Sequence, residues 1–306
     1  MSSLAPLVLF TYNRLEHTRR TVQALRNNDR AAESDLVIYC DGPRNEKDES
    51  SVEEVRRFVR SIQGFNEITI FERETNLGLS GSIISGVTEV IGDRGNVIVL
   101  EDDHVSSPYF LTFMNEALSA YSDCDSVAAV HGYFPMTRTK LPDTVLLRFV
   151  DCWGWGTWSR SWQLFEKDGQ KLLDALRVRK LQRLFNLNES EDFVGMLEQQ
   201  VSGLNDSWAI RWYASAFLEE KLGVFPGRNL IQHIGWDEGT HSADDRNHYY
   251  SPLADRPVQL LKCELRENNR ARVAIEEFFR SLKPTLLSRI RARLATLFEQ
   301  NENRAS

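Results

Sequence analysis

The first 105 residues alternate short apolar runs with stretches of helical period. "APLVLFTYNR" predicts a strand over Leu7 to Thr11. "LEHTRRTVQALRNN" predicts a helix, because Val22 and Leu25 fall at helical spacing from Thr18 and Thr21. "DLVIYCDGPRN" reads as a second strand stopped by the Gly42-Pro43 breaker. "KDESSVEEVRRFVRSIQG" reads as a helix capped at Ser50 or Ser51, with acids in its first turn and Gly64 at its end. "EITIFERET" is a third strand, "NLGLSGSIISGVTEVIG" a loop leading into a small-residue helix, and "GNVIVLEDD" a fourth strand. Such alternation implies a parallel, doubly wound α/β sheet, in which ligands bind beyond the carboxyl ends of the strands. The residues there are Asn13-Arg14, Asp41-Gly42, Asn76-Leu77-Gly78 and Glu101-Asp102-Asp103, a polar and charged set at one edge.

The second half is less regular. "SPYFLTFMNEALSAYSD" predicts a helix, "SVAAVHGYF" a strand, and "TVLLRFVDCWGWGTWSRSW" a strand running into a Trp/Gly segment. The pattern is helical from "DGQKLLDALRVRKLQRLF" to "WAIRWYASAFLEEKLG", and "VFPGRNLIQHIGWDEGTHSADD" gives a strand and a polar loop. The tail, "RARVAIEEFFRSLKPTLLSRIRARLATLF", is amphipathic and broken at Pro284.

Composition narrows the class. The chain has 306 residues, 42% hydrophobic and 26% charged, as expected of a soluble globular protein with a full core. A net charge of −7 argues against a broad nucleic-acid surface. Cys40, Cys124, Cys152 and Cys263 show neither CxxC nor zinc spacing and read as reduced thiols of a cytoplasmic protein. "MSSLAPLVLFTYNR" lacks the basic leader of a signal peptide, and no run approaches the ~20 apolar residues of a spanning helix.

The acid triplet carries the most chemistry. Glu101, Asp102 and Asp103 follow the apolar run Val97 to Leu100 without a break, and adjacent carboxylates near a core repel one another. A carboxylate pair after a strand can hold Mg²⁺ or Mn²⁺ that bridges the phosphates of a nucleotide. The plainer reading is an acidic loop or helix start before Ser106-Ser107-Pro108. A response-regulator phosphoacceptor site also groups acids after a strand, but after the first one and in a far shorter chain.

"VIVLEDDHVSSPYFLTFMNEAL" resembles the metal-site segment of GT-A glycosyltransferases, with Asp-x-Asp written as Glu-Asp-Asp. The likeness is to N-acetylglucosaminyltransferase I and to family-2-like bacterial sugar transferases. It implies that Asp103 binds Mn²⁺ or Mg²⁺, that Asp102 contacts the sugar or ribose, and that Glu101 supports them. Upstream, "FTYNRLEHTRRTV" places Arg14 where the family has a nucleotide-contacting Arg, and "VIYCDGPRN" places Asp41 where it has an Asp reading the uracil edge. "ETNLGLSGSIISGV", with Asn76, resembles the Asn-x-Gly loop of family-2 enzymes. Without the resemblance, Arg14 is a solvated helix-start arginine and Asp41 a turn former.

Downstream, "DCWGWGTWSRSW" carries four of the seven tryptophans. Tryptophans can wall a sugar site and glycines admit a ligand, although a core cluster is an equal alternative. In the resembled family a Gly-Trp segment lies beneath the donor sugar, which implies Trp153, Gly154 and Trp155 as pocket lining. In "LNDSWAIRWYASAFLEEKLG", Asn205 or Asp206 would cap a helix. The resemblance makes Asp206 the general base of an inverting transferase, with Arg211-Trp212 resembling the family's Arg-Trp pair; Asp151 and Glu166 are rival bases. "NLIQHIGWDEGTHSADD" resembles the family's "NxxxxxGxxxxxTH" segment, with His241 on metal or diphosphate and His233 as a second candidate.

The sequence therefore leads to a GT-A-like α/β fold, a mostly parallel sheet flanked by helices with a C-terminal helical extension. Its divisions are 1–260, comprising a nucleotide-binding half 1–105 and an acceptor half 106–260, and an amphipathic extension 261–306. The expected activity is metal-dependent, inverting transfer from a nucleotide sugar, a UDP-sugar, to a glycan or lipid-linked glycan acceptor in bacterial surface polysaccharide synthesis. Arg280, Lys283, Arg289, Arg291 and Arg293 interleave with apolar residues in the tail, which suits peripheral contact with anionic lipid or packing on the domain. Two other classes compete. A sugar-nucleotide nucleotidyltransferase would need a glycine-rich phosphate loop after the first strand, which "FTYNRLEHT" lacks. An inactive glycan- or nucleotide-binding module would not need Asp103 and Asp206.

Overall fold

A computed structural model describes residues 4–236 and 249–283 of the chain. Strands β1 (Leu7–Thr11), β2 (Leu36–Cys40), β3 (Ile68–Glu72) and β4 (Asn96–Glu101) are joined by helices α1 (Leu15–Arg26), α2 (Glu46–Val59) and α3 (Gly78–Arg94). β1 pairs in parallel with β2 and β4, and β2 with β3, so four carboxyl ends open on one edge. The α2 boundaries differ from the sequence reading. Asn45, not Ser50 or Ser51, caps the helix by accepting from the Lys47 N–H, and the helix stops at Val59, ahead of Gly64. An Asn side chain reaches the free N–H groups of a first turn better than the mid-helix serines.

The chain continues through β5 (His104–Ser106), α4 (Phe110–Ala120), β6 (Val127–His131), β7 (Thr144–Leu147), β8 (Trp155–Trp158), α5 (Ser159–Trp162), α6 (Gly169–Val178), α7 (Gln182–Phe185), α8 (Phe193–Val201), α9 (Trp208–Leu218), β9 (Leu222–Pro226), β10 (Ile231–His233) and α10 (Asn269–Leu282). The main sheet has the order β3-β2-β1-β4-β8-β6-β9-β7. β8 runs antiparallel between β4 and β6, and β7 antiparallel to β9, so the sheet is mixed in its second half. The Trp/Gly segment is thus itself a strand at the join of the two halves.

Strand side chains alternate between two cores, as period two requires. Leu7 and Leu9 pack with Val22 and Leu25 of α1, Val55 and Val59 of α2 and Phe113 of α4. Val8 and Phe10 pack on the other face with Ile83 and Val87 of α3, Leu173 of α6, Leu197 of α8 and Phe217 of α9.

Ala271, Ala274 and Ile275 of α10 belong to that second core. Phe278 lies against Tyr249, and Phe279 against Phe149 and Phe193. This part of the amphipathic tail therefore spends its aromatic face on the domain. Residues 284–306, with the rest of the basic pattern, lie outside the described residues. Among the described residues no helix is long and apolar enough to cross a membrane. All four cysteines are free thiols.

Candidate active site

Val97 to Leu100 are buried in β4, and the chain turns at Asp102 and Asp103, each 3% exposed. Three elements fix the turn. The Thr21 hydroxyl of α1 donates to the Asp102 carbonyl (2.8 Å), the Ile234 N–H donates to the Asp103 carbonyl (2.9 Å), and the Glu101 N–H donates to Nδ1 of His104 (3.1 Å). β5 then pairs antiparallel with β10, placing His104 opposite His233.

Arg14 sits where β1 passes into α1. Its Nη2 pairs with Asp102 Oδ1 and stands 2.8 Å from Asp103 Oδ2. His233 Nε2 lies 3.3 Å from the same Oδ2, and His104 Nε2 lies 3.7 Å from Oδ1. A β-carbon on Gly235 would collide with Asp103 Oδ2 and lie 2.8 Å from Arg14 Nη1, so only glycine lets this loop cross the acids.

Burial pushes the Asp102 carboxyl up to about 6 against the pull of Arg14. For Asp103, burial opposes ionisation, but the His233 hydrogen bond, the imidazoles and Arg14 together hold it well below the usual carboxylate range. Burial and the two aspartates push Glu101 well above that range. Burial lowers His104 to about 3, which keeps it neutral. One guanidinium thus faces three carboxyl groups, and the site favours a further cation.

Among the described residues no three His, Cys, Asp or Glu side chains form a ready-made metal cage. Asp103 Oδ1 is nevertheless buried without a hydrogen-bond partner among the described residues. The Asp103 carboxylate thus keeps bonding capacity unused, and a hard carboxylate with imidazole nearby suits Mn²⁺ or Mg²⁺ whose other ligands come from phosphate and water.

Next to the acids, two loops are stitched together. The Asp41 carboxylate accepts from the N–H groups of Gly42, Leu77 and Gly78 at 2.9–3.0 Å, so it caps the start of α3. Asn76 donates to the Gly42 carbonyl (2.7 Å) and accepts from the Gly78 N–H (3.1 Å). The two loops touch so closely that a β-carbon on Gly42 would lie 2.5 Å from the Thr75 carbonyl carbon.

The Trp segment divides. Trp153 is half-buried, stacked on His233 with centroids 4.8 Å apart and edge-on to Tyr133. It therefore stands beside Asp103 through His233. Trp155 is fully buried among Trp162, Trp208 and Trp212, so its indole fills the core and lines no pocket. Two residues apart on a continuous strand the rings would share a face; they diverge because Trp153 precedes β8 and the chain turns at Gly154 between them. Gly154 has φ +58°, and a β-carbon there would strike Ile231. Its lack of side chain serves the backbone turn and this packing.

Asp206 lies just ahead of α9, with its side chain 75% exposed. The cap is Ser207, which accepts from the Ile210 N–H, rather than Asn205 or Asp206. Asp206 Oδ1 is 3.0 Å from Arg211 Nη2, and the same nitrogen donates to Ser80 Oγ of α3 (2.8 Å). Ser80 follows the Asp41-capped start of α3, so this chain of contacts brings Asp206 toward the carboxyl edge. Of the rival bases, Asp151 spends its carboxylate on the following Cys152 N–H (2.6 Å), and burial pushes it up to about 6. Glu166 accepts from the Asp168 N–H and faces Lys171 at the start of α6. His241 lies outside the described residues.

Sequence reasoning passed over His104, although it adjoins the acids. The three residues of β5 are too few to show a period, and only the pairing with β10 turns His104 toward Asp103.

No curated protein matches the chain. One similar solved structure is the mannosyltransferase PcManGT from Pyrobaculum calidifontis in complex with GDP-Man and Mn²⁺, 12% identical, with 71% of this chain and 74% of that chain covered and a TM-score of 0.40. The model of the family described as glycosyl transferase family 2 matches residues 7–177, more than half of the chain. The chain belongs to glycosyl transferase family 2.

Proposed function

We propose that the chain is a metal-dependent, inverting glycosyltransferase that moves a sugar from a UDP-sugar to a glycan acceptor. The observation that carries this reading is the convergence of Asp102 and Asp103 on Arg14, at the sheet edge that also holds Asp41. The choice of uridine rests on Asp41, which stands where the resembled family has an Asp reading the uracil edge. A role in bacterial surface polysaccharide synthesis, at the cytoplasmic side, fits a glycan or lipid-linked glycan acceptor.

Asp103 would hold Mn²⁺ or Mg²⁺, with His233 beside it. When bound, the ion neutralises the diphosphate leaving group. Arg14 turns its guanidinium from the acids to the diphosphate and stabilises the charge that develops there. Asp41 Oδ2, with one backbone partner, accepts from the base, and Asp102 accepts from a ribose or sugar hydroxyl. Trp153 offers a ring face to the sugar. Asp206, open to solvent, takes the proton of the attacking acceptor hydroxyl, while Arg211 fixes its carboxylate. Residues 1–260 would form the catalytic unit, with nucleotide bound by 1–105 and acceptor by 106–260.

Release of nucleotide from a panel of UDP- and GDP-sugars, with Mn²⁺ and with EDTA, tests this reading. Turnover of a UDP-sugar that stops in EDTA is expected; turnover of GDP-sugars alone would refute the donor assignment, and full turnover in EDTA the metal.

A further inference from the structure

We propose that His104 is a positioning residue for Asp103, its Nε2–H holding carboxylate Oδ1 so that Oδ2 is the oxygen offered to a cation. The inference rests on the metal-dependent reading above. His104 is wholly buried, and its Nδ1 accepts the Glu101 N–H at 3.1 Å. An accepting Nδ1 in a neutral ring fixes the tautomer, so the proton resides on Nε2. That nitrogen lies 3.7 Å from Asp103 Oδ1, and neither atom has a hydrogen-bond partner among the described residues. For two buried atoms of opposite sign just beyond bonding distance, a small carboxylate rotation closes the contact. Hydrogen bonds in a functional site commonly tighten in this way when the ligand arrives.

The other oxygen is already in use. Oδ2 meets Arg14 and His233, so an arriving cation competes with Arg14 there. With His104 on Oδ1, the carboxylate binds through one oxygen and does not swing to chelate with both. Hydrogen bonding of this kind orients ligating carboxylates, and its loss typically weakens metal binding about 10–100-fold.

Two substitutions separate positioning from loop support. Asn in place of His104 keeps an acceptor for the Glu101 N–H and lacks the distal donor, whereas Gln carries a donor at the Nε2 position and loses the acceptor. Mn²⁺ binding would be titrated by electron paramagnetic resonance of the free ion in wild type, His104→Asn, His104→Gln and Asp103→Asn, each alone and with UDP or GDP. Thermal melts would run in parallel. The expected result is weakening of about 10-fold or more in His104→Asn, near-wild-type affinity in His104→Gln, and loss in Asp103→Asn. The reverse order, or equal losses in both His104 variants, would overturn the positioning role. Absence of Mn²⁺ binding by wild type in every arm would instead overturn the metal-dependent reading. If the variants fail to fold, the imidazole ¹⁵N spectrum of the wild-type protein decides, because a proton on Nδ1 of His104 contradicts the proposal.

Discussion

Arg14 and Asp103 meet at 2.8 Å, Nη2 to Oδ2, while the same nitrogen also holds Asp102. One cation thus serves two adjacent buried carboxylates, and the fold depends on it. Arg14→Ala leaves Asp102 without its cation and Asp103 with His233 alone on Oδ2. The expected loss is about 3 kcal/mol of unfolding free energy, at the low end for a broken buried pair because Arg14 keeps some exposure. Denaturant melts measure it, and Mn²⁺ should restore more stability in the variant than in wild type. An unchanged midpoint would contradict this role.

Asp206 is expected to behave in the opposite way. Its side chain is largely exposed and its pair with Arg211 is screened by solvent, so Asp206→Asn should leave the melting temperature within about 1 °C. Turnover should fall about 10²–10⁴-fold with donor KM nearly unchanged, as for a lost general base. Wild-type turnover would move the base elsewhere, with Asp151 next to be tested.

The two tryptophans that flank Gly154 should separate stability from activity. Trp155→Ala empties a site enclosed by three other tryptophans and is expected to cost about 3–5 kcal/mol. Trp153→Phe keeps an aromatic face beside His233 and should raise donor KM with little change in melting temperature. Paired melts and kinetics check both.

His131 sets an acid limit. Burial lowers it from 6.5 to about 3, so the unfolded chain binds the extra proton throughout that interval and the folded chain does not. Stability contributed by the neutral ring is therefore complete above pH 6.5 and falls as pH drops toward 3, by about 1.4 kcal/mol per pH unit. His131→Asn, which cannot titrate, should show a shallower decline of melting temperature between pH 7 and pH 5 than wild type.

The first half of the fold, residues 1–105, was legible because each of its elements declares itself locally. Leu7 to Thr11 is a continuous apolar run, and Val22 and Leu25 mark the buried stripe of α1. The family likeness likewise lay in contiguous motifs. What escaped depended on contacts between distant segments. Trp155 looks like Trp153 in sequence, and only the insertion of β8 between β4 and β6 sends one ring into the core. Asp41 reads as a turn former or a base reader, and the sequence does not show that its carboxylate also holds the start of α3, through a loop more than thirty residues away. His104 and His233 gain meaning only by pairing across β5 and β10.

The most direct test of transfer at this site is donor turnover by Asp103→Asn against wild type across a Mn²⁺ titration. Wild type should turn over nucleotide sugar in proportion to bound Mn²⁺, and the variant should lose activity at least about 10²-fold, recovering only in part at high Mn²⁺. Full, Mn²⁺-dependent turnover by Asp103→Asn would contradict the assignment of the acid turn as the metal and diphosphate site.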